Sequence, residues 1–186
     1  MKITQGWLEG AQILNSPHCD PRPANTDIRL LVIHNISLPP AQFESPATGH
    51  SYISDLFMGK LDPTVHPYFA EIHQLRVSAH CLIKRDGQVC QFVPFEQRAW
   101  HAGVSVFQGV PACNDYSIGI ELEGTDNIAY TDAQYSTLVR LTQSIMQTYP
   151  SISLGRIVGH NDIAPGRKTD PGVAFDWAKL RTKVSL

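Results

Sequence analysis

"VSAHCLIKRDGQVCQFVP", residues 77–94, decides what kind of sheet this chain builds. Two apolar runs, 77–83 and 88–94, flank "KRDG". Asp86-Gly87 supplies the tight turn between them, because glycine reaches positive φ at no steric cost. The stretch reads as a β-hairpin, an antiparallel pair.

On either side of the hairpin, strands and helices alternate. "RLLVIHN" (29–35) is a buried strand ending in a histidine. "GHSYISDLFMGK" (49–60) sets Ile53, Leu56 and Phe57 at helical spacing, with Gly59 as a stop. "SIGIELEG" (117–124) alternates with period two and is a second strand. Thr131 with Gln134 three residues on forms a capping box, and Tyr135, Leu138, Val139, Ile145, Met146 and Tyr149 then keep one apolar face until Pro150. "GRIVGH" (155–160) is a short strand running into His160, and Trp177, Leu180 and Val184 mark a terminal helix. One hairpin inside an alternating order predicts an α/β fold, a single domain over residues 1–186 with a central mixed β-sheet flanked by helices.

A chain of 186 residues can bury one sizeable core and is short for two. With a net charge of -2 and no Lys/Arg run, neither nucleic acid nor an anionic membrane is an expected partner. The N-terminal "MKITQGWLEGAQIL" lacks the apolar stretch of a signal peptide, and "LLVI" (30–33) is far too short to span a bilayer. A cytoplasmic location is expected. Cys19, Cys81, Cys90 and Cys113 form no CxxC pair, so they are expected as free thiols and not as zinc ligands.

His34 and His160 each stand where an apolar strand stops, the usual place for chemistry in a sheet enzyme. Asp170 follows in the turn of "GHNDIAPGRKTDPG" (159–172). Two imidazoles and a carboxylate make the three-ligand set of a catalytic zinc site. No compact spacing of the HExxH kind enforces that reading. A strand-end histidine bonded to backbone and a turn-forming aspartate remain the alternative.

Glu121 shares a strand face with Gly119 and Glu123, a face left open enough for a general base, or one that is simply solvated. Lys168, two residues before Asp170, projects to the same side in an extended segment and suits an oxyanion. His80 reads as a structural histidine and His101, in "AWHAG", as part of a cleft wall. His18, His50, His66 and His73 read as solvated.

Taken in order, "GWLEGA", "LLVIHNISLPP", "HPYFAEI", "LRVSAHCLIKRDG", "RAWHAGVS", "CNDYSIGIELEGTD", "YTDAQY", "GHNDIAPGRKTDPG" and "AFDWAKLR" span nearly the whole chain. Together they resemble the zinc amidase and peptidoglycan-recognition superfamily. The likeness is to its cytoplasmic, Gram-negative members that cleave 1,6-anhydro-N-acetylmuramyl-L-alanine in cell-wall recycling.

The resemblance implies one Zn2+ on His34, His160 and Asp170, with Glu121 as acid-base and Lys168 as oxyanion donor. It also implies a muramyl-peptide groove touched by Asn35, Tyr68, Arg76 and Ala164, where Arg76 pairs with a peptide carboxylate. Two departures stand out. "VPAC" (110–113) lacks the basic residue that family members carry before the Cys of "CND", and the loop at 41–52 is longer than usual.

The expected partner is an anhydromuramyl-peptide, and the expected reaction is zinc-dependent hydrolysis of its muramic acid–L-alanine amide. A non-catalytic peptidoglycan-binding module on the same fold is the alternative, and such a binder is expected to lose a metal ligand. A glycosidase pair of Glu121 and Glu123 fails on geometry. Residues two apart on a strand are about 7 Å apart and approach from one side, whereas glycosidase carboxylates flank the bond.

Overall fold

The structure, a computed structural model, describes residues 1–43 and 50–185. Six strands build the main sheet: β1 (Gln12–Ile13), β2 (Leu30–Ile36), β3 (Cys81–Ile83), β4 (Val89–Gln91), β5 (Ser117–Glu123) and β6 (Ile157–Gly159). Their order across the sheet is β6-β2-β5-β3-β4-β1. Every neighbouring pair is parallel except the β3–β4 hairpin, so the sheet is mixed as expected.

The hairpin turns at Gly87, with φ +87°. Its paired strands are shorter than the apolar runs. At the start of the first run, the Ser78 N–H donates to Trp100 O and ties the chain to a different neighbour. Cys81 pairs with Gln91 and Leu82 with Cys90, so the two hairpin cysteines are not opposite each other, and all four cysteines are free. Strand β2 does not stop at His34 but continues through Asn35 to Ile36.

Alternation along β2 and β5 divides the sheet into two faces. Leu31, Ile33, Ile118, Ile120 and Leu122 pack against Leu138, Leu141, Ile145 and Leu180. These last come from α3 (Asp132–Thr148) and α5 (Trp177–Val184). Each such fully buried side chain contributes about 1.5–3 kcal/mol, and Leu138→Ala would cost about 2–5 kcal/mol.

The start of α3 is set by the capping box, with Thr131 Oγ1 accepting from Gln134 N and Gln134 Oε1 accepting from Thr131 N, both at 3.0 Å. Helix α1 (Tyr52–Phe57) is capped by Ser51, and Gly59 follows it at φ +68°. The predicted start of that element at residue 49 lies outside the described residues. With α2 (Pro67–Ile72), α1 brings Ile53, Phe57 and Phe69 into a second cluster with Leu82 and Phe92.

On the face away from α3, Leu30 and Val32 pack with Ala102, Tyr116 and Ile163. His34, Gly119 and Glu121 belong to that face. The groove opens at its His34 and Glu121 positions.

Candidate metal centre

The parallel register of β5 on β2 sets Glu121 directly beside His34. Neighbouring strands lie about 4.8 Å apart, and side chains in register share a face. On the other side of β2, β6 pairs Gly159 with Ile33, so His160 leaves the sheet next to His34 as the first residue of α4 (His160–Ile163). Asp162 Oδ2 accepts from Gly159 N at 2.7 Å and holds that corner.

Asp170 arrives on a turn that is tied down at several points. Its carbonyl accepts from Asn161 N at 3.0 Å, Gly172 N donates to Thr169 O, and Tyr130 Oη donates to Pro171 O at 2.8 Å. Gly172 has φ +78°, and a Cβ there would lie 2.1 Å from the Asp126 Cα, so only glycine fits.

Three atoms converge. His34 Nδ1 lies 3.0 Å from His160 Nδ1 and 3.0 Å from Asp170 Oδ2, and His160 Nδ1 lies 3.1 Å from the same oxygen. The remaining ring nitrogens decide what this means. His160 Nε2 faces the Ala102 carbonyl at 3.1 Å and must donate to it, which leaves Nδ1 with a lone pair. His34 Nε2 faces His101 Nδ1 at 2.9 Å, and His101 Nε2 faces Ser117 Oγ at 3.0 Å. A proton on His34 Nε2 and one on His101 Nε2 satisfy that chain and leave His34 Nδ1 bare.

Two lone pairs and a carboxylate oxygen in mutual contact repel unless a cation lies among them. A tetrahedral ion with ligands at about 2.0–2.1 Å separates them by about 3.3 Å, close to the spacing observed. Among the described residues, His34, His160 and Asp170 are the group whose donor atoms meet this way. The donor set fits a zinc-type ion.

The electrostatics agree. Burial lowers the His34 pKa to about 4, against the opposing pull of Asp170. At Asp170, burial pushes upward but the two imidazoles outweigh it and hold the carboxyl well below its usual range. His34 and Asp170 thus sit in their ligating forms near neutral pH. Glu121 is the opposite case. Burial first, then the Asp170 charge, raise it well above the usual carboxylate range, with Lys168 opposing. Its Oε2 is buried without a hydrogen-bond partner among the described residues.

Two sequence expectations need correction here. The face beside Gly119 is not open, because the His101 ring fills it, and a Cβ on Gly119 would lie 2.4 Å from the ring's Cγ. Nor is that face solvated at Glu123, which is buried and accepts from Arg85 N at 2.9 Å.

The cluster forms one end of a groove of about 390 Å³, walled by Asn35, Leu56, Tyr68, Trp100 and Lys168. A shallower recess of about 490 Å³ adjoins it and shares Asn35, Lys168 and Asp170. Asn35 Nδ2 donates to Asp126 Oδ1 at 2.8 Å, which turns the amide oxygen away from Asp126.

Of the other expected groove residues, Arg76 is exposed between Leu75 and Val77, which line the groove while Arg76 itself does not. Ala164 is buried as the cap that ends α4 and is not on the wall. The loop at 41–52 falls largely on residues 44–49, outside the described part.

His80 is structural: Gly119 N donates to its Nδ1 at 3.0 Å and its Nε2 donates to Gln97 O at 3.0 Å. His18 stacks on Trp100, and His66 caps α2. Sequence reasoning missed Trp100, Asp126 and Tyr130. It placed His101 on the cleft wall without its contact to His34. A glycine inside a strand marks a close approach, and Gly119 was the available signal.

Comparisons with known proteins point to one family. The model of the N-acetylmuramoyl-L-alanine amidase family matches residues 24–173. The 1,6-anhydro-N-acetylmuramyl-L-alanine amidase AmpD of Escherichia coli strain K12 is 58% identical over 185 residues, covering 100% of this chain and 98% of that protein. A crystal structure of a selenomethionine AmpD derivative, 56% identical, superposes with a TM-score of 0.93 over 99% of each chain. The E. coli amidase AmiD, solved with anhydro-N-acetylmuramic acid-L-Ala-D-γ-Glu-L-Lys, is 28% identical at a TM-score of 0.61, covering 95% of this chain and 60% of that one. With its sheet, its converging donors and a family match over most of its length, the chain belongs to the N-acetylmuramoyl-L-alanine amidase family.

Proposed function

We propose that this protein hydrolyses the amide between the lactyl group of 1,6-anhydro-N-acetylmuramic acid and L-alanine, using one zinc ion held by His34, His160 and Asp170. The observation that carries the reading is the pairing of two unlike features. Three mutually repelling donor atoms meet at 3.0–3.1 Å, and the buried Glu121 Oε2 stands unpartnered in the same groove. The AmpD and AmiD relatives, whose names and bound substrate specify muramyl-L-alanine amides, support the substrate class.

When bound, zinc supplies a Lewis acid that lowers the pKa of a coordinated water to about 7 and polarises the scissile carbonyl. Glu121 Oε2 takes the proton of the attacking water and returns it to the nitrogen of the departing L-alanine. Lys168 Nζ faces the negative charge that develops on the carbonyl oxygen. Asn35, its amide oriented by Asp126, and Tyr68 hold the substrate along the groove, so that contacts remote from the bond position it.

We place the reaction in the cytoplasm, among soluble muramyl-peptide fragments. Four free cysteines suit a reducing compartment, and among the described residues no helix is long and apolar enough to cross a membrane. A binding module without chemistry leaves the buried Glu121 carboxylate unexplained.

Mass-spectrometric digestion of purified anhydromuramyl-peptides and of intact sacculi, each with and without chelator, tests the proposal. Chelator-sensitive release of stem peptide from the fragments, with much slower release from sacculi, is expected. No release from either substrate in zinc-loaded protein refutes the amidase reading, and equal release per stem peptide refutes the restriction to fragments.

A further inference from the structure

We propose that His101 is a positioning residue for the metal centre: it accepts the His34 Nε2 proton and thereby keeps His34 Nδ1 bare, and Gly119 exists in β5 to make room for it. The proposal rests on the zinc reading of the site and concerns its support, not its ligands.

Three observations meet at this residue. The His101 Nδ1 lies 2.9 Å from His34 Nε2, and the two rings stand at 85° with centroids 5.0 Å apart, the edge-on arrangement in which an N–H of one points into the lone pair of the other. The far nitrogen of His101 lies 3.0 Å from Ser117 Oγ, a hydroxyl that can accept the Nε2 proton and so leave Nδ1 to accept from His34. Finally, the ring occupies the place where any other residue at 119 would carry its Cβ: Cγ, Nδ1 and Cδ2 of His101 would lie 2.4, 2.6 and 2.7 Å from such an atom. Contacts so short do not occur between real atoms, so the ring's position and the glycine require each other.

His160 has a simpler arrangement. Its Nε2 donates to the Ala102 carbonyl, which also accepts from Arg167 Nη2 at 2.7 Å, so a backbone oxygen sets its tautomer. His34 Nε2 instead faces a side chain, the ring of His101. The outer partner of a metal-bound histidine is usually a carboxylate, carbonyl or water, and loss of such a partner costs about 10–100-fold in metal affinity. A neutral imidazole in this role orients the ligand without adding negative charge near the metal.

The prediction concerns zinc affinity, read by chelator competition on purified, folded protein. His101→Phe keeps a ring of similar size but cannot accept, and should weaken zinc binding by about 10–100-fold. His101→Asn, which keeps an acceptor, should recover part of that loss. Gly119→Ala should weaken binding like His101→Phe, yet cost nothing further in a His101→Ala background where the ring is gone.

In the zinc-loaded wild type, imidazole ¹⁵N spectra should show the shared proton on His34 Nε2 and none on His101 Nδ1. That last measurement needs no variant. A proton on His101 Nδ1, or unchanged zinc affinity in His101→Phe, overturns the proposal. A wild type that binds no zinc instead overturns the metal reading beneath it.

Discussion

His80 and His34 invite comparison. Both are fully buried histidines, His34 on β2 and His80 just before β3, and the ring of His101 lies against both, with centroids 5.0 and 5.8 Å away. Burial lowers both pKa values, His80 to about 3 and His34 to about 4. Yet His80 has each nitrogen taken by the fold, one by Gly119 N and the other by Gln97 O. His34 has one nitrogen committed to His101, and the other is aimed at Asp170 and His160. What separates the structural His80 from the candidate ligand His34 is one uncommitted lone pair with a carboxylate in front of it. Neither burial nor a shifted pKa separates them.

The largest effect that tests this contrast is metal loss. Stripping zinc, or His34→Ala, should reduce turnover by at least about a thousandfold, because Lewis-acid stabilisation is worth several kcal/mol. His80→Asn should keep one zinc per chain by elemental analysis. Loss of zinc from the His80 variant would erase the distinction.

Next is the acid-base pair of candidates. Glu121→Ala should lose about 10²–10⁴ in kcat, the range for a general acid-base group. Glu123→Gln, which still accepts from Arg85 N, should stay near wild type. Comparable losses in both would mean that the orphaned oxygen of Glu121 is not the proton carrier.

Lys168→Ala should lower kcat by about 10²–10³ with zinc stoichiometry unchanged. If the metal leaves with the lysine, its role is to hold the Asp170 turn.

The smallest effect isolates His80 through acid. Burial and the Arg22 charge hold its folded pKa at about 3, below the ordinary value of 6.5 that the unfolded chain keeps. The unfolded chain therefore binds more protons between those values, and stability that is complete above pH 6.5 drains away as pH falls toward 3. From pH 7 to pH 5 the His80 share is about 2 kcal/mol. Denaturant unfolding of metal-free wild type and His80→Asn should differ by that amount in their pH dependence. Identical slopes would show that His80 is not held neutral by the fold.

Much of the molecule was readable before its structure. The capping box at Thr131, the hairpin at Gly87 and the strand at 117–123 are local devices, each encoded within a few residues. The three donors were also readable as candidates. What alternation along one strand does not contain is its neighbour. The alignment of Glu121 with His34 depends on the register of β5 against β2, and the contact of His101 with His34 spans 67 residues. His101 was placed on the cleft wall because nothing within "AWHAG" points to a partner. Asn35 was recognised without Asp126, which lies 91 residues away.

The parallel seam between β2 and β5 has a consequence for variation among proteins of this design. His34 and Glu121 are held side by side within a seam of seven paired positions, Leu30 with Ser117 through Ile36 with Glu123, so no loop sets their separation. The walls of the groove belong to other parts of the chain, among them α1, α2 and the segment that follows β2. Insertions and exchanges in those walls can redraw what the groove accepts while His34 and Glu121, the proposed ligand and proton carrier, keep their spacing. Substrate range is thus free to drift, and reactivity is inherited with the sheet.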